Sequence, residues 1–536
     1  MRRLHPLSDE VCRSLFILNA CLEMKGKRKG PTFHQILDQW LNSGLTTEKD
    51  LAAWIEENYP KISLHSRQFD RARRRADAFR AQGIWAAGLN QNPPSSGIGF
   101  ACPRLLFGKG TLTADQLWAG IFNSRKSKLI QPDEDWVVAL RSLLSSTRSL
   151  GMGLASSLGT KTYDLVTVYA QHSRSPLFLV LPFAIEDPGA SRESVRLPDP
   201  SSPYLMISCL TRAANCSRAD RMVCRDRILA FLTDLHWVLE IRSEGNLWKI
   251  LEQQQSLRPR MQWVMKPERR RSRTEGNFLL MEKFPRWSMG FSLNHLSDPR
   301  DIPPTETSSG ISVGPPVQNG SGHEARHLPG PSGIEAREKI SWKSYLFHYT
   351  RPCPGPWPNQ DYQDYLLSLL QNDPLAGHTA LDTLIHILRD THLRGSSKLV
   401  RGSDAVISFS STPPHELNTI RQWNPALIRW TFEPYGLAID RKLLKTLGAR
   451  PAIYAKSDIY DRLRDSDRFR FQRNDPLHCS WKHEREWRLP GDLSLGEIPQ
   501  KDFFVFVPSL EEARQLTLNV ASHPPIVIVP FVQPVA

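Results

Sequence analysis

The chain reads as an α/β domain built on a parallel sheet, followed by a separate α+β domain. Three observations carry that expectation. Short apolar runs alternate with amphipathic stretches between residues 117 and 265, strand-like runs dominate after residue 341, and a Pro/Gly/Ser-rich stretch separates the two regions. Apolar strands divided by amphipathic helices imply a parallel sheet covered on both faces. At 536 residues the chain also exceeds what one hydrophobic core serves. The expected divisions are a helical N-terminal segment over 1–80, the parallel-sheet domain over 81–297, a disordered linker over 298–340 and the α+β domain over 341–536.

Taken in order, Val11, Leu15, Leu18 and Leu22 recur at helix spacing, as do Ile36, Leu37, Trp40 and Leu41, so residues 8–80 read as helical. Gly83 to Asn90 reads as a short strand and turn. A strand over Leu117 to Phe122 then leads into the turn Asn123-Ser124-Arg125-Lys126, a helix over Asp133 to Leu144 and a strand ending at Gly151-Met152-Gly153-Leu154. A helix over Thr162 to Ala170 and the strand Leu177 to Leu181 follow. Ligands of such sheets bind at the carboxyl ends of the strands. Beyond the linker, Tyr345 to Thr350 is strand-like, Leu381 to Leu388 is helical, and strands are expected at Ala405 to Ser411, Tyr435 to Ile439, Arg450 to Tyr454 and Phe503 to Val507.

The composition, 40% hydrophobic and 23% charged, is that of a globular protein. Its eight cysteines lack C-x-x-C spacing, which points away from a disulfide framework and a structural zinc site and toward a reducing compartment. No metal is expected. The longest apolar run near the middle, Pro176 to Ile185, is about half of a bilayer crossing, so the expectation is a soluble, cytoplasmic protein with no membrane partner. A formal charge of +14 favours polyanionic partners. Its densest pieces are Arg71 to Arg75, a solvated helix face or a phosphate-contacting one, and Lys266 to Arg273, a basic loop.

The most concentrated chemistry lies in Trp481-Lys482-His483-Glu484-Arg485-Glu486-Trp487-Arg488-Leu489. Read as one strand, it places Glu484, Glu486 and Arg488 on one face and the tryptophans on the other. Adjacent carboxylates repel unless cations, a ligand or a raised pKa offsets the charge, so the segment is an ion-pair lattice or a working site.

Two resemblances sharpen this reading. The succession Pro103 to Gly110, Trp118 to Lys126, Gly153-Leu154-Ala155, Arg225 to Ala230 and Trp237 to Glu240 resembles the DprA/Smf family of DNA-processing proteins over roughly residues 8–265. That resemblance implies a Rossmann-like core binding a nucleotide or nucleic acid. Asn123, Ser124, Arg125, Lys126, Gly153, Arg225 and Arg227 are then the candidate contacts, although the glycines at 151–159 do not keep the family's order. Residues 342–515 resemble an uncharacterised bacterial family with a His-Tyr-Thr strand and a Trp-x-x-Glu-x-Glu-Trp-Arg segment. Their layout is similar to ADP-ribosyltransferases of the DarT and diphtheria-toxin kind. This implies NAD as cofactor, with His348, Glu484, Glu486 and Arg488 as the catalytic set.

The expected function is a two-part bacterial protein of phage defence or stress response, with a DNA- or nucleotide-sensing half and an NAD-using effector. The alternative is a DprA-like DNA-binding protein of DNA processing or recombination with a non-catalytic accessory domain. A phosphoribohydrolase-like reading lacks its carboxylate-rich loop. Both leading readings allow a homo-oligomer.

Overall fold

The computed structural model describes residues 4–25, 33–60, 66–89, 105–111, 115–124, 126, 129–186, 204–209, 217–268, 271–293, 334–335, 340–373, 376–398, 400–424, 429–474 and 481–532. The expected linker therefore lies outside the described residues except at 334–335 and 340, and Arg125 lies outside them as well. The chain divides into two compact units, residues 1–309 with 356–376, and residues 310–355 with 377–536.

The first unit is built on a ten-stranded mixed sheet. Its strands are β1 (Leu4–Pro6), β2 (Ile84–Leu89), β3 (Leu105–Gly110), β4 (Trp118–Phe122), β5 (Gly153–Ser157), β6 (Leu177–Val180), β7 (Tyr204–Ser208), β8 (Leu235–Val238), β9 (Gln262–Met265) and β10 (Ser288–Phe291). They lie in the order β1-β2-β3-β7-β6-β5-β4-β8-β9-β10. From β7 to β10 every pairing is parallel, while β1, β2, β3 and β7 pair antiparallel. The chain order reverses between β4 and β8. That reversal opens a crevice at the carboxyl ends of these two strands.

Helices α1 (Asp9–Lys25), α2 (Phe33–Asn42), α3 (Glu48–Asn58), α4 (Ser66–Ala81), α5 (Asp135–Ser149) and α6 (Lys161–His172) share one core with one face of the sheet. Helices α7 (Arg218–Leu232), α8 (Asn246–Leu257) and α9 (Glu275–Lys283) cover the other. The expected break between 80 and 81 is not a core boundary: Phe16 of α1 lies 6.1 Å from Phe107 of β3 between ring centroids. The α/β expectation for this region matches the sheet and its helices.

Residues assigned by sequence to the C-terminal part also belong here. Helix α10 (Tyr362–Gln371) is part of the first unit, and its Tyr365, Leu366 and Leu369 are wholly buried in the same core as α5 and α6. Its other anchors are polar. The Tyr362 hydroxyl donates to Asp164 Oδ2 at 2.9 Å, and Arg141 Nη1 donates to the Leu369 carbonyl at 3.2 Å. Lys161 stacks over the rings of Tyr362 and Tyr365 at 4.5 and 5.0 Å. A linear division at residue 340 misses this because α10 is amphipathic, and amphipathicity does not say which core receives the apolar face.

The second unit carries an eight-stranded sheet and smaller ribbons. Its strands are β11 (Ile334–Glu335), β12 (Tyr345–Tyr349), β13 (Val406–Ser410), β14 (Gly436–Asp440), β15 (Arg450–Pro451), β16 (Glu486–Pro490), β17 (Phe503–Val507) and β18 (Ile526–Ile528), in the order β11-β18-β17-β14-β12-β13-β16-β15. A parallel ribbon of Ile453–Ala455 with Phe471–Arg473 flanks the β15 end of the chain path. Helices α11 (Ala380–Asp390) and Leu510–Asn519 pack in the core on one face, whereas Phe347, Tyr349, Phe504 and Phe506 fill the other. No helix among the described residues is long and apolar enough to cross a membrane.

Candidate anion-binding edge and carboxylate site

At the crevice of the first unit the loops after β4 and β8 are bonded to each other. Asn123 is buried, donating to Thr162 Oγ1 at 3.0 Å and accepting from the Glu240 backbone N–H at 3.2 Å. The Ser124 N–H donates to the Glu240 carbonyl at 2.8 Å, and its hydroxyl accepts from the Arg242 N–H at 3.0 Å. Lys126 pairs with the buried Glu240 carboxylate and sits 5.3 Å from the Trp136 ring. Burial lowers the Lys126 pKa against the pull of Glu240. These expected ligand donors thus knit the crevice together.

Three further expectations are corrected. Gly153 opens β5 instead of ending a strand, which places it at the amino end, away from the ligand edge. A methyl group there would stand 2.6 Å from the Trp118 ring, so the glycine serves close packing. Gly153→Ala is accordingly expected to cost about 1–3 kcal/mol by overpacking, measured by denaturant unfolding, with DNA affinity of the folded variant unchanged. A loss of affinity without a loss of stability would restore the binding role.

Arg225 and Arg227 lie in the middle of α7, whose start is Arg218 capped by Ser217, and both are buried. Arg225 donates to Asp226 Oδ1 at 2.9 Å and to the Leu158 carbonyl at 3.0 Å, with its guanidinium 4.8 Å from the Tyr163 ring. Tyr163 in turn donates to Asp226 Oδ1 at 3.0 Å. Burial raises the Asp226 pKa, and Arg225 opposes that rise. This is a buried network that ties α7 to the loop after β5. Trp118, Trp136 and Trp237 are likewise buried core residues.

The side chains that face solvent at the carboxyl edge lie on the loops after β8 and β9, and of these the sequence marks only the second, as a basic loop. Arg242 follows β8, and Lys266, Arg271 and Arg273 follow β9; all are exposed. Since β8 and β9 are adjacent and parallel, these side chains belong to neighbouring loops at one edge. Helix α8 starts there at Gly245 with no side-chain cap, leaving first-turn backbone N–H groups for a ligand, whereas at the start of α9 the Gly276 and Asn277 N–H groups donate to the Ile241 and Thr274 carbonyls at 2.9 and 3.0 Å. Arg273 Nε also approaches Glu240 Oε1 at 3.7 Å.

In the second unit the segment 481–489 is not one strand. Lys482–Glu484 forms a turn of 3-10 helix, Arg485 takes a left-handed conformation with φ 47°, and only Glu486–Pro490 is β16. The two carboxylates consequently differ in kind. Glu486 Oε1 accepts from Ser408 Oγ at 2.7 Å and Arg488 Nε at 2.9 Å, and Oε2 accepts from Arg488 Nη2 at 3.1 Å. Arg488 is buried, and it also donates to the Phe469 and Phe471 carbonyls at 3.1 and 2.6 Å and to the Gln472 side chain. The Tyr454 hydroxyl accepts from the Glu486 N–H at 2.9 Å. Every N–H-bearing nitrogen of that guanidinium is engaged.

Glu484, by contrast, has no hydrogen bond to its carboxylate among the described residues; its backbone carbonyl accepts from Ser410 Oγ at 2.6 Å. Burial and then the charge of Glu486 push its pKa up to about 7, with Arg351 and Arg488 pulling the other way. A carboxyl that titrates near neutrality beside a fixed ion pair suits proton transfer.

His348 does not join them. Phe347, Ser410 and Glu486 are successive cross-strand partners on one face, while His348 lies with Phe409 and Trp487 on the other, its ring 5.8 Å from that of Phe409. Its Nδ1 is 3.0 Å from the Ser408 carbonyl, and burial drives its pKa down to about 4. The side chains that do surround the carboxylates, Tyr454, Arg351 and Gln472, gave no signal in sequence. Tyr454 and Gln472 meet only because their short strands pair in parallel.

No family model and no curated protein matches the chain. Among solved structures it is similar to DNA processing protein A from Streptococcus pneumoniae, at 12% identity and TM-score 0.35 over 56% of this chain and 98% of that one. It is also similar to DNA processing protein A from Helicobacter pylori, a structure describing a single-stranded DNA binding mode. There the identity is 14% and the TM-score 0.30, over 40% of this chain and 94% of that one.

Proposed function

We propose that the first unit is a DNA-binding module of DNA processing, holding the phosphates of a single strand along the carboxyl edge of its parallel sheet. The carrying observation is the exposed set Arg242, Lys266, Arg271 and Arg273 on two adjacent loops beside the start of α8, which has no side-chain cap. Guanidinium groups and open backbone N–H groups are phosphate donors. The chain's net charge of +14 adds long-range attraction for such a partner. Lys126, paired with Glu240, and the buried Arg225 and Arg227 have no part in this contact.

The test uses the full chain and a labelled single strand. Affinity should fall linearly with salt on a log–log plot, and each phosphate contact removed should flatten the slope by about 0.7. Arg271→Ala with Arg273→Ala should flatten it, whereas Arg71→Ala with Arg74→Ala on the exposed face of α4 should not. An unchanged slope in the first pair, with the second pair altering it, would move the interface to α4.

A second reading concerns the other unit and is favoured by Glu484, the half-buried carboxyl with an open hydrogen-bonding capacity. It makes this unit an enzyme that uses Glu484 as general acid or base, with the charges of Glu486 and Arg488 acting on its carboxyl. NAD, expected from the layout of the sequence, finds only part of its anticipated set, since His348 lies across the sheet from Glu486.

A further inference from the structure

A cleft of about 340 Å³ in the second unit is lined by Arg401, Ser457, Phe471, Gln472 and Arg473. That volume lies within the range of small-molecule sites. Arg401 is held in place: Nη1 donates to the Ser457 carbonyl at 2.7 Å, and the guanidinium lies 4.3 Å from the Tyr460 ring and 5.9 Å from that of Phe471. Its Nη2 also approaches the largely exposed Asp461 at 3.6 Å. Arg473 is exposed. The orientation of Gln472 is set from behind, because Arg488 donates to its Oε1. The other end of that amide is then its NH2, a donor.

The lining therefore offers two guanidinium groups, one amide N–H group and one hydroxyl, with an apolar ring beneath and no carboxylate among the lining residues. Such a wall selects an anion, and guanidinium forks match phosphate oxygens in geometry as well as charge. The ring wall and the size of the cleft leave room for more than an inorganic ion. We infer that this cleft binds a nucleoside phosphate, with Arg401 and Arg473 on the phosphate and Gln472 donating to it or to a ribose hydroxyl. Gln472 links the cleft to Glu486 through Arg488, which donates to both side chains. The catalytic consequence of a bound ligand rests on the second reading above; the binding does not.

The experiment is equilibrium titration of the full chain with AMP, adenosine and inorganic phosphate. AMP should bind saturably, adenosine at least tenfold more weakly, and Arg401→Ala and Arg473→Ala should each weaken AMP about tenfold, equivalent to about 1.4 kcal/mol. Arg473→Ala removes an exposed side chain and tests the site even if Arg401→Ala perturbs its loop. Arg148→Ala, at an exposed position of the first unit outside the proposed DNA contact, should leave AMP affinity unchanged. Three results would overturn the inference: adenosine binding as tightly as AMP, AMP affinity insensitive to Arg473→Ala, or no AMP binding by the wild-type chain at millimolar concentration. Enzymatic turnover is not read in this titration, so failure at Glu484 and failure of the cleft are separately visible.

Discussion

Leu366→Ala and Leu369→Ala in α10 are each expected to destabilise the first unit by about 2–5 kcal/mol, the usual cost of emptying a fully buried leucine site. Both side chains are wholly buried among residues of α5 and α6, although the segment follows the linker by sequence. The control is Leu518→Ala, since Leu518 is 68% exposed and should change stability by less than about 0.5 kcal/mol. Stronger still is the effect expected on a fragment ending at residue 297. It lacks α10 altogether, uncovers the apolar faces of α5 and α6, and leaves Asp164 without the Tyr362 hydroxyl. Such a fragment should melt far below the full chain, and a synthetic peptide of residues 356–376 should restore part of the loss. Equal melting of the fragment and the first unit of the intact chain would show that α10 is an accessory.

Strands β4 and β6 and helices α5 and α6 are legible because each apolar run, such as Leu177 to Val180, is short and buried and lies beside an amphipathic helix, whereas β7, β9, β10, α8 and α9 carry no such clear pattern. Local pattern decides such elements. The site was less legible for a definite reason: exposure cannot be read from residue type. Arg225 and Arg227 look like phosphate contacts in sequence, yet they are buried, Arg225 against Asp226 and Leu158 of another element. Lys266, Arg271 and Arg273, which the sequence offers only as a basic loop, lie exposed after the carboxyl end of β9. Strand alternation failed at 481–489 because one left-handed residue, Arg485, breaks the period that the face assignment assumed. The pairing of Glu486 with Arg488 survived that failure, because both lie within β16 two residues apart.

That difference between the two carboxylates gives the sharpest expected contrast. Arg488→Ala leaves the half-buried Glu486 carboxylate facing Ser408 alone and strips the Phe469 and Phe471 carbonyls of their donor, so it should cost about 2–4 kcal/mol. Glu486→Gln should cost less but have the same sign. Glu484→Gln should do the reverse at neutral pH. The carboxyl of Glu484 titrates at about 7 when folded, above its ordinary value of 4.5. A raised acid pKa means that the folded state holds the proton more tightly than the unfolded one. The contribution to stability is thus complete below about pH 4.5 and is lost as pH rises through about 7. Glutamine mimics the protonated acid and removes that dependence, so the variant should be more stable than wild type at pH 8, by on the order of 2–3 kcal/mol at most, and closely similar at pH 4. Thermal melts of both proteins across that range read the effect directly. Parallel pH profiles of the two proteins would instead mean that Glu484 is ordinarily solvated, and with it would go the case for a working carboxyl in this unit.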